Sequence, residues 1–168
     1  ANEVSFNTMG WEAHDEPNSS VMTKEHPMTV GVWYHLAVTH NDNGLHEMYV
    51  NGMKVGSGYQ SSSKRRETRG DNRIKASEPA DIFIGGGGVY KSGFNGSVDE
   101  IQIWNKPLTA EEVQRAMQGY KEGEVPEGLQ GYFTFEKMNN DGTFPNLGKG
   151  GADKTASLVQ LFGSGCEN

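Results

Sequence analysis

Residues 31–52 read G-V-W-Y-H-L-A-V-T-H-N-D-N-G-L-H-E-M-Y-V-N-G. Residues 33–40 are rich in aromatic and β-branched types, which favour a pleated, half-buried surface. Alternation puts Leu36 and Val38 on one face and His35, Ala37 and Thr39 on the other. Residues 46–50 repeat the pattern, with Met48 and Val50 opposed to Glu47 and Tyr49. The intervening Asn41-Asp42-Asn43-Gly44 consists of turn formers that tolerate positive φ. Asn51-Gly52 marks a second turn at the far end. The stretch therefore predicts a β-hairpin with one apolar face, which a second sheet must cover.

Working outward, short strands are expected around Val4 and Phe6 and over residues 21–24, separated by the polar run E-A-H-D-E-P-N-S-S. Residues 56–80 form a long polar excursion whose six Lys or Arg outnumber three acids. A connection of that length inside a compact domain is a candidate binding loop. Residues 81–85 resume a strand with Ile82 and Ile84 on one face, a tetraglycine follows, and residues 98–104 carry Ile101 and Ile103 inward. Next comes the one clear helix, over about residues 109–118. Thr109 is its N-cap, Glu112 completes a T-x-x-E capping box, Val113, Ala116 and Met117 form the apolar stripe, and Gly119 ends it. Late strands are expected at residues 129–135 and 156–162, with loop at 139–154.

Composition agrees with wet outer faces. Of 168 residues, 34% are hydrophobic and 23 are glycine, and these glycines fall between strand-like runs as turn markers. A length of 168 is one ordinary domain with room for a core. The formal net charge of −7 gives no basic face for nucleic acid. One cysteine, Cys166, excludes a disulfide framework and a multi-cysteine zinc site. No run approaches the ~20 apolar residues of a membrane-spanning helix, so no membrane insertion is expected.

In W-Y-H-L-A-V-T-H, M-Y-V-N-G and I-F-I-G-G, followed by F-N-G-S-V-D-E-I-Q-I-W-N-K-P-L-T-A-E-E-V, the order of motifs resembles a laminin-G-like module of the concanavalin-A-like lectin/glucanase superfamily, in its bacterial and pentraxin-related branch. The later G-L-Q-G-Y-F-T-F-E and N-L-G-K-G-G fit the same group. The resemblance implies an all-β fold, a two-sheet antiparallel jelly-roll sandwich over residues 1–168 with one short helix. It further implies an extracellular or cell-surface setting, the periplasm included, as one module of a larger protein. Family members carry several strands before the one matching N-E-V-S-F. The chain is therefore expected to lack N-terminal strands of the pattern, which calls for an oligomer or a second chain supplying them. Pentraxins place acidic calcium ligands just after the I-x-I-G strand. Here Gly86, Gly87, Gly88 and Val89 stand there, without a side-chain oxygen, so no cofactor is expected at that position. Asp42, Asn43, Asp71 and Asp99 in or near turns leave calcium open elsewhere.

Catalytic patterns are weak. Glycoside hydrolysis needs two carboxylates facing each other roughly 5–10 Å apart. The adjacent Asp99 and Glu100 point to opposite faces of a strand, so an enzyme is not expected. None of the five histidines, His14, His26, His35, His40 and His46, forms H-E-x-x-H, although the hairpin is expected to bring His35 near His46. Arg69-Gly70-Asp71 spells an adhesion tripeptide of the kind that also arises by chance. Sugar sites use exposed aromatic rings with nearby polar groups. That chemistry singles out Trp11, Tyr59 and Tyr90 in loop contexts, and Arg65 in the basic cluster 64–66 for acidic glycans. Trp33 and Trp104 read as framework. The function expected is non-catalytic recognition of a glycan, with a surface protein as the alternative partner and a glycoside hydrolase the least favoured reading.

Overall fold

The computed structural model describes residues 5–7, 20–22, 28–42, 45–59, 84, 94, 96–121, 123–151 and 154–156. They contain nine strands and one helix. In chain order these are β1 (Ser5–Asn7), β2 (Ser20–Met22), β3 (Leu36–His40), β4 (Leu45–Val50), β5 (Met53–Tyr59), β6 (Ile101–Trp104), α1 (Ala110–Ala116), β7 (Leu129–Phe133), β8 (Phe144–Pro145) and β9 (Thr155–Ala156). Every strand pairing is antiparallel. An antiparallel β protein with one short helix is what the sequence predicts. The chain divides into two compact units, one of residues 1–75 and 106–120, the other of 76–105 and 121–168.

In the first unit β3, β4 and β5 form a sheet in that order. The hairpin register pairs Leu36 with Val50, Val38 with Met48 and His40 with His46. The Asn41 Oδ1 accepts from the backbone N–H of Leu45 at 3.1 Å and so clamps the first turn. In the second turn Asn51 (φ 50°) and Gly52 (φ 75°) are both left-handed, the type I′ geometry that matches strand twist. Asn51 also continues the ladder: its Oδ1 accepts from the His35 N–H, and its N–H donates to the His35 carbonyl.

That turn leads into β5, whose residues 56–59 the sequence reading placed at the start of the polar excursion. Its M-K-V-G-S-G-Y is poor in apolar residues, but Gly56 and Gly58 stand opposite Met48 and His46. Missing side chains there leave room for two large ones, and a bulge beside Tyr49 absorbs the extra Val55.

The apolar face is only partly covered. Met48 and Val50 are buried, while Leu36 and Val38 on the same face are 41% and 37% exposed. β3 is an edge of the described sheet, and an edge strand lacks a neighbour on one side. Tyr49 and Thr39 on the opposite face are also buried, so β4 is covered on both sides. α1 belongs to this unit. Thr109 and Glu112 exchange both hydrogen bonds of the capping box, and Val113 and Ala116 are buried. The helix lies over the second turn, because a Cβ on Gly52 would meet Gln114 Cγ at 3.1 Å.

In the second unit β6 pairs with β7, setting Ile101 against Phe133 and Ile103 against the buried Gly131. The strand expected over 98–104 begins only at Ile101, because Glu100 takes a left-handed φ of 54° and stops the ladder. Residues 146–150 run along the far edge of β7. Leu147, Lys149 and Gly150 donate backbone N–H groups to Tyr132, Leu129 and Gln130 carbonyls. Asn146 spans the same edge, its Oδ1 accepting from the Tyr132 N–H while its Nδ2 donates to the Gln130 carbonyl. β9 is described only at Thr155–Ala156, and the remainder of the strand expected to residue 162 lies outside the described residues. Ile84, expected on one strand face with Ile82, is exposed.

Candidate functional site

The segment entering β3 builds the most open aromatic feature among the described residues. Gly31, with φ 79°, turns the chain in T-V-G-V-W. The Thr29 N–H donates to the Tyr34 hydroxyl at 3.0 Å, which closes the turn and holds the Tyr34 phenol below its ordinary pKa. The turn therefore has a fixed shape, and its apolar residues face outward. Trp33 is 65% exposed and Val30 is 84% exposed, with Val32 exposed between them. Sequence reasoning assigned Trp33 to the framework. The missed signal is the Gly31 turn, which starts β3 three residues late, at Leu36, and leaves the indole outside the ladder.

Trp104, also read as framework, is half-buried, and its Nε1 donates to Gln102 Oε1 at 3.3 Å. Of the four binding residues singled out from sequence, Trp11, Arg65 and Tyr90 lie outside the described residues. Tyr59 is not in a loop; its backbone ends β5, opposite Leu45.

Both faces of the hairpin carry ordered polar chemistry. Lys54 donates to Glu47, and Tyr49 Oη donates to the other carboxylate oxygen at 3.1 Å. Lys54 holds the Glu47 carboxyl below its usual pKa, and burial pushes the Tyr49 phenol up. The histidine pair is His40 with His46, not His35 with His46, because the register sets residue 35 against Asn51. The two Nδ1 atoms are 2.8 Å apart and the rings stack at 4.5 Å. His46 is fully buried, and burial, with the neighbouring His40, lowers its pKa. His35 sits apart, its Nδ1 buried without a hydrogen-bond partner and its pKa lowered by burial.

Asp99 and Glu100 are tied to structure. Asp99 Oδ1 accepts from the Glu100 N–H, and Glu100 accepts from the Tyr132 hydroxyl. No group of three or more His, Cys, Asp or Glu suited to a metal ion occurs among the described residues. No helix among them is long and apolar enough to cross a membrane. The exposed Trp33 indole can stack against a flat apolar surface.

A family model described as concanavalin A-like lectin/glucanases superfamily matches residues 1–114. No curated protein matches the sequence. Among solved structures, the chain is similar to an S-layer domain-containing protein from Clostridium thermocellum ATCC 27405, at 21% identity and a TM-score of 0.35. The match covers 67% of this chain and 50% of that one, so this chain corresponds to half the length of the solved one.

Proposed function

From the premise that the chain belongs to the concanavalin A-like lectin/glucanase superfamily, we propose that it is a non-catalytic recognition module that binds carbohydrate on a two-sheet jelly roll. The observation that carries the reading is Trp33, an exposed indole on a hydrogen-bonded turn. An apolar pyranose face stacks on such a ring, while the sugar hydroxyls take the polar groups around it. A net charge of −7 favours neutral over acidic glycans. Trp11, Tyr59, Tyr90 and Arg65 remain proposed contributors. The non-catalytic part is supported by Asp99 and Glu100, each engaged in a hydrogen bond at the start of β6. Family membership also supports an extracellular or cell-surface setting, and the acidic charge argues against nucleic acid as a partner.

A glycan array covering neutral and acidic polymers tests this, run with calcium and again with EGTA. Binding to neutral glycans in both conditions is expected, because glycine occupies the pentraxin-like ligand positions. A blank array overturns the reading. One observation favours a second reading, a protein-interaction module: Val30, Val32, Leu36 and Val38 extend the exposed apolar surface beyond what one sugar ring covers. The partner would then be a surface protein, a second copy, or a chain that adds a strand to the β3 edge.

A further inference from the structure

The indole that carries the carbohydrate reading has a neighbour that ties down its backbone. Tyr34 follows Trp33, and its hydroxyl accepts the Thr29 N–H at 3.0 Å. That bond joins the ends of a short segment, with Val30, Gly31, Val32 and Trp33 between them. Gly31 makes the bend with a left-handed φ of 79°. A Cβ added at Gly31 would meet nothing within 4 Å, so glycine stands there for backbone freedom and not for want of space. Val30, Val32 and Trp33 are all exposed, so their own packing contributes little to the shape of the segment. The bend and the Tyr34 bond are what define it. Fixing backbone has an entropic cost. An open segment meets that cost when a ligand arrives, whereas a closed one has met it on folding.

We propose that Tyr34 is a positioning residue for sugar binding: its hydroxyl latches the segment 29–34 and holds Trp33 ready before a neutral pyranose arrives. The proposal rests on the carbohydrate reading of Trp33 and adds to it the group that keeps the ring in place. The latch is an exposed hydrogen bond, and the net contribution of such a bond is modest. Once it is lost, water takes the Thr29 N–H and no buried group is left unpaired. Tyr34→Phe keeps the aromatic ring and removes only the acceptor, so the fold is spared. The effect then falls on binding, and within binding on entropy, because the sugar must order a looser segment. Gly31→Ala loosens the same segment by a second route, since alanine disfavours a left-handed φ and meets no clash there.

The test is calorimetric titration of the full chain and of Tyr34→Phe, Gly31→Ala and Trp33→Ala with cellotetraose, mannotetraose and chitotetraose, alongside amide hydrogen exchange at Thr29. Tyr34→Phe is expected to bind about two- to tenfold more weakly, the range that one exposed hydrogen bond can supply. The binding enthalpy should be kept and the loss should lie in the entropy. Exchange at the Thr29 amide should quicken, and the urea midpoint should stay in place. Gly31→Ala is expected to weaken binding in the same direction, and the double variant by less than the product of the two, because both release one segment. Tyr34→Phe binding as tightly as the unaltered chain, while Trp33→Ala loses binding, overturns the proposal and leaves the carbohydrate reading standing. A weaker Tyr34→Phe whose urea midpoint has also fallen assigns Tyr34 to the fold and overturns the positioning role. Binding of none of the three sugars by the unaltered chain, together with a blank array, ends the carbohydrate reading and the proposal with it.

Discussion

Single residues in this chain hold backbone that no strand reaches. Asn146 is the strongest case. Its carboxamide satisfies Tyr132 N–H and Gln130 carbonyl on β7 and also accepts from the Gly148 N–H. Asn146→Ala strips all of these at once; Gly150 still donates to the Gln130 carbonyl, but the buried Tyr132 N–H is left unpaired, at a cost of about 1–3 kcal/mol. A lower urea midpoint with an unchanged m-value is expected. Gly148 is constrained by space, because a Cβ there would sit 2.5 Å from the Gln130 carbonyl oxygen. Gly148→Ala is therefore expected to destabilise about as much, whereas a glycine whose Cβ position is open would not show a steric cost. The N-L-G-K-G-G run is visible in the sequence as a loop, but its role is not. Which carbonyl a glycine must approach depends on Gln130, 18 residues before Gly148 and 20 before Gly150.

The buried histidines give a pH dependence with a definite sign. Burial lowers the pKa of both His35 and His46 below the ordinary value. The unfolded chain then binds more protons than the folded one once pH falls below about 6.5. Stability is thus full above that pH and declines as pH drops through the window beneath it. Urea unfolding between pH 7.5 and 5.5 checks this, with a shallower decline expected in His35→Asn. An unchanged midpoint across that range would contradict it.

At the scale of elements, legibility follows locality. The capping box of α1 and the type I′ turn at Asn51-Gly52 are set by residues within four positions of each other, and both were readable. Thr109→Ala removes the N-cap, at a cost of about 1 kcal/mol, and should lower the thermal midpoint while leaving the β-sheet signal intact. Gly52→Ala meets both a left-handed φ and the Gln114 side chain, so a larger loss is expected there. β5 escaped notice because a strand opposite large side chains is free to be small, and Gly56 and Gly58 read locally as turn residues. The faces of β3 were assigned correctly by alternation, since the register joins Leu36 and Val38 to Val50 and Met48. Their exposure was not readable, because burial at an edge depends on a neighbour rather than on the strand itself. The β6 boundary failed for the opposite reason: Glu100 adopts a left-handed conformation that its residue type rarely takes.

For the whole molecule, family membership and antiparallel β architecture were legible from ordered motifs spread over half the chain. The site was legible only as a class of chemistry. The sequence reading sought exposed aromatic rings in loops, whereas Trp33, exposed among the described residues, lies inside a stretch whose pattern reads as strand. Its removal tests the central claim most directly. Isothermal titration of the best array glycan into the unaltered chain and into Trp33→Ala should show at least a roughly tenfold loss of affinity in the variant, near 1.4 kcal/mol, with the urea midpoint unchanged because the indole is already in water. Equal affinity in the two proteins would contradict the account.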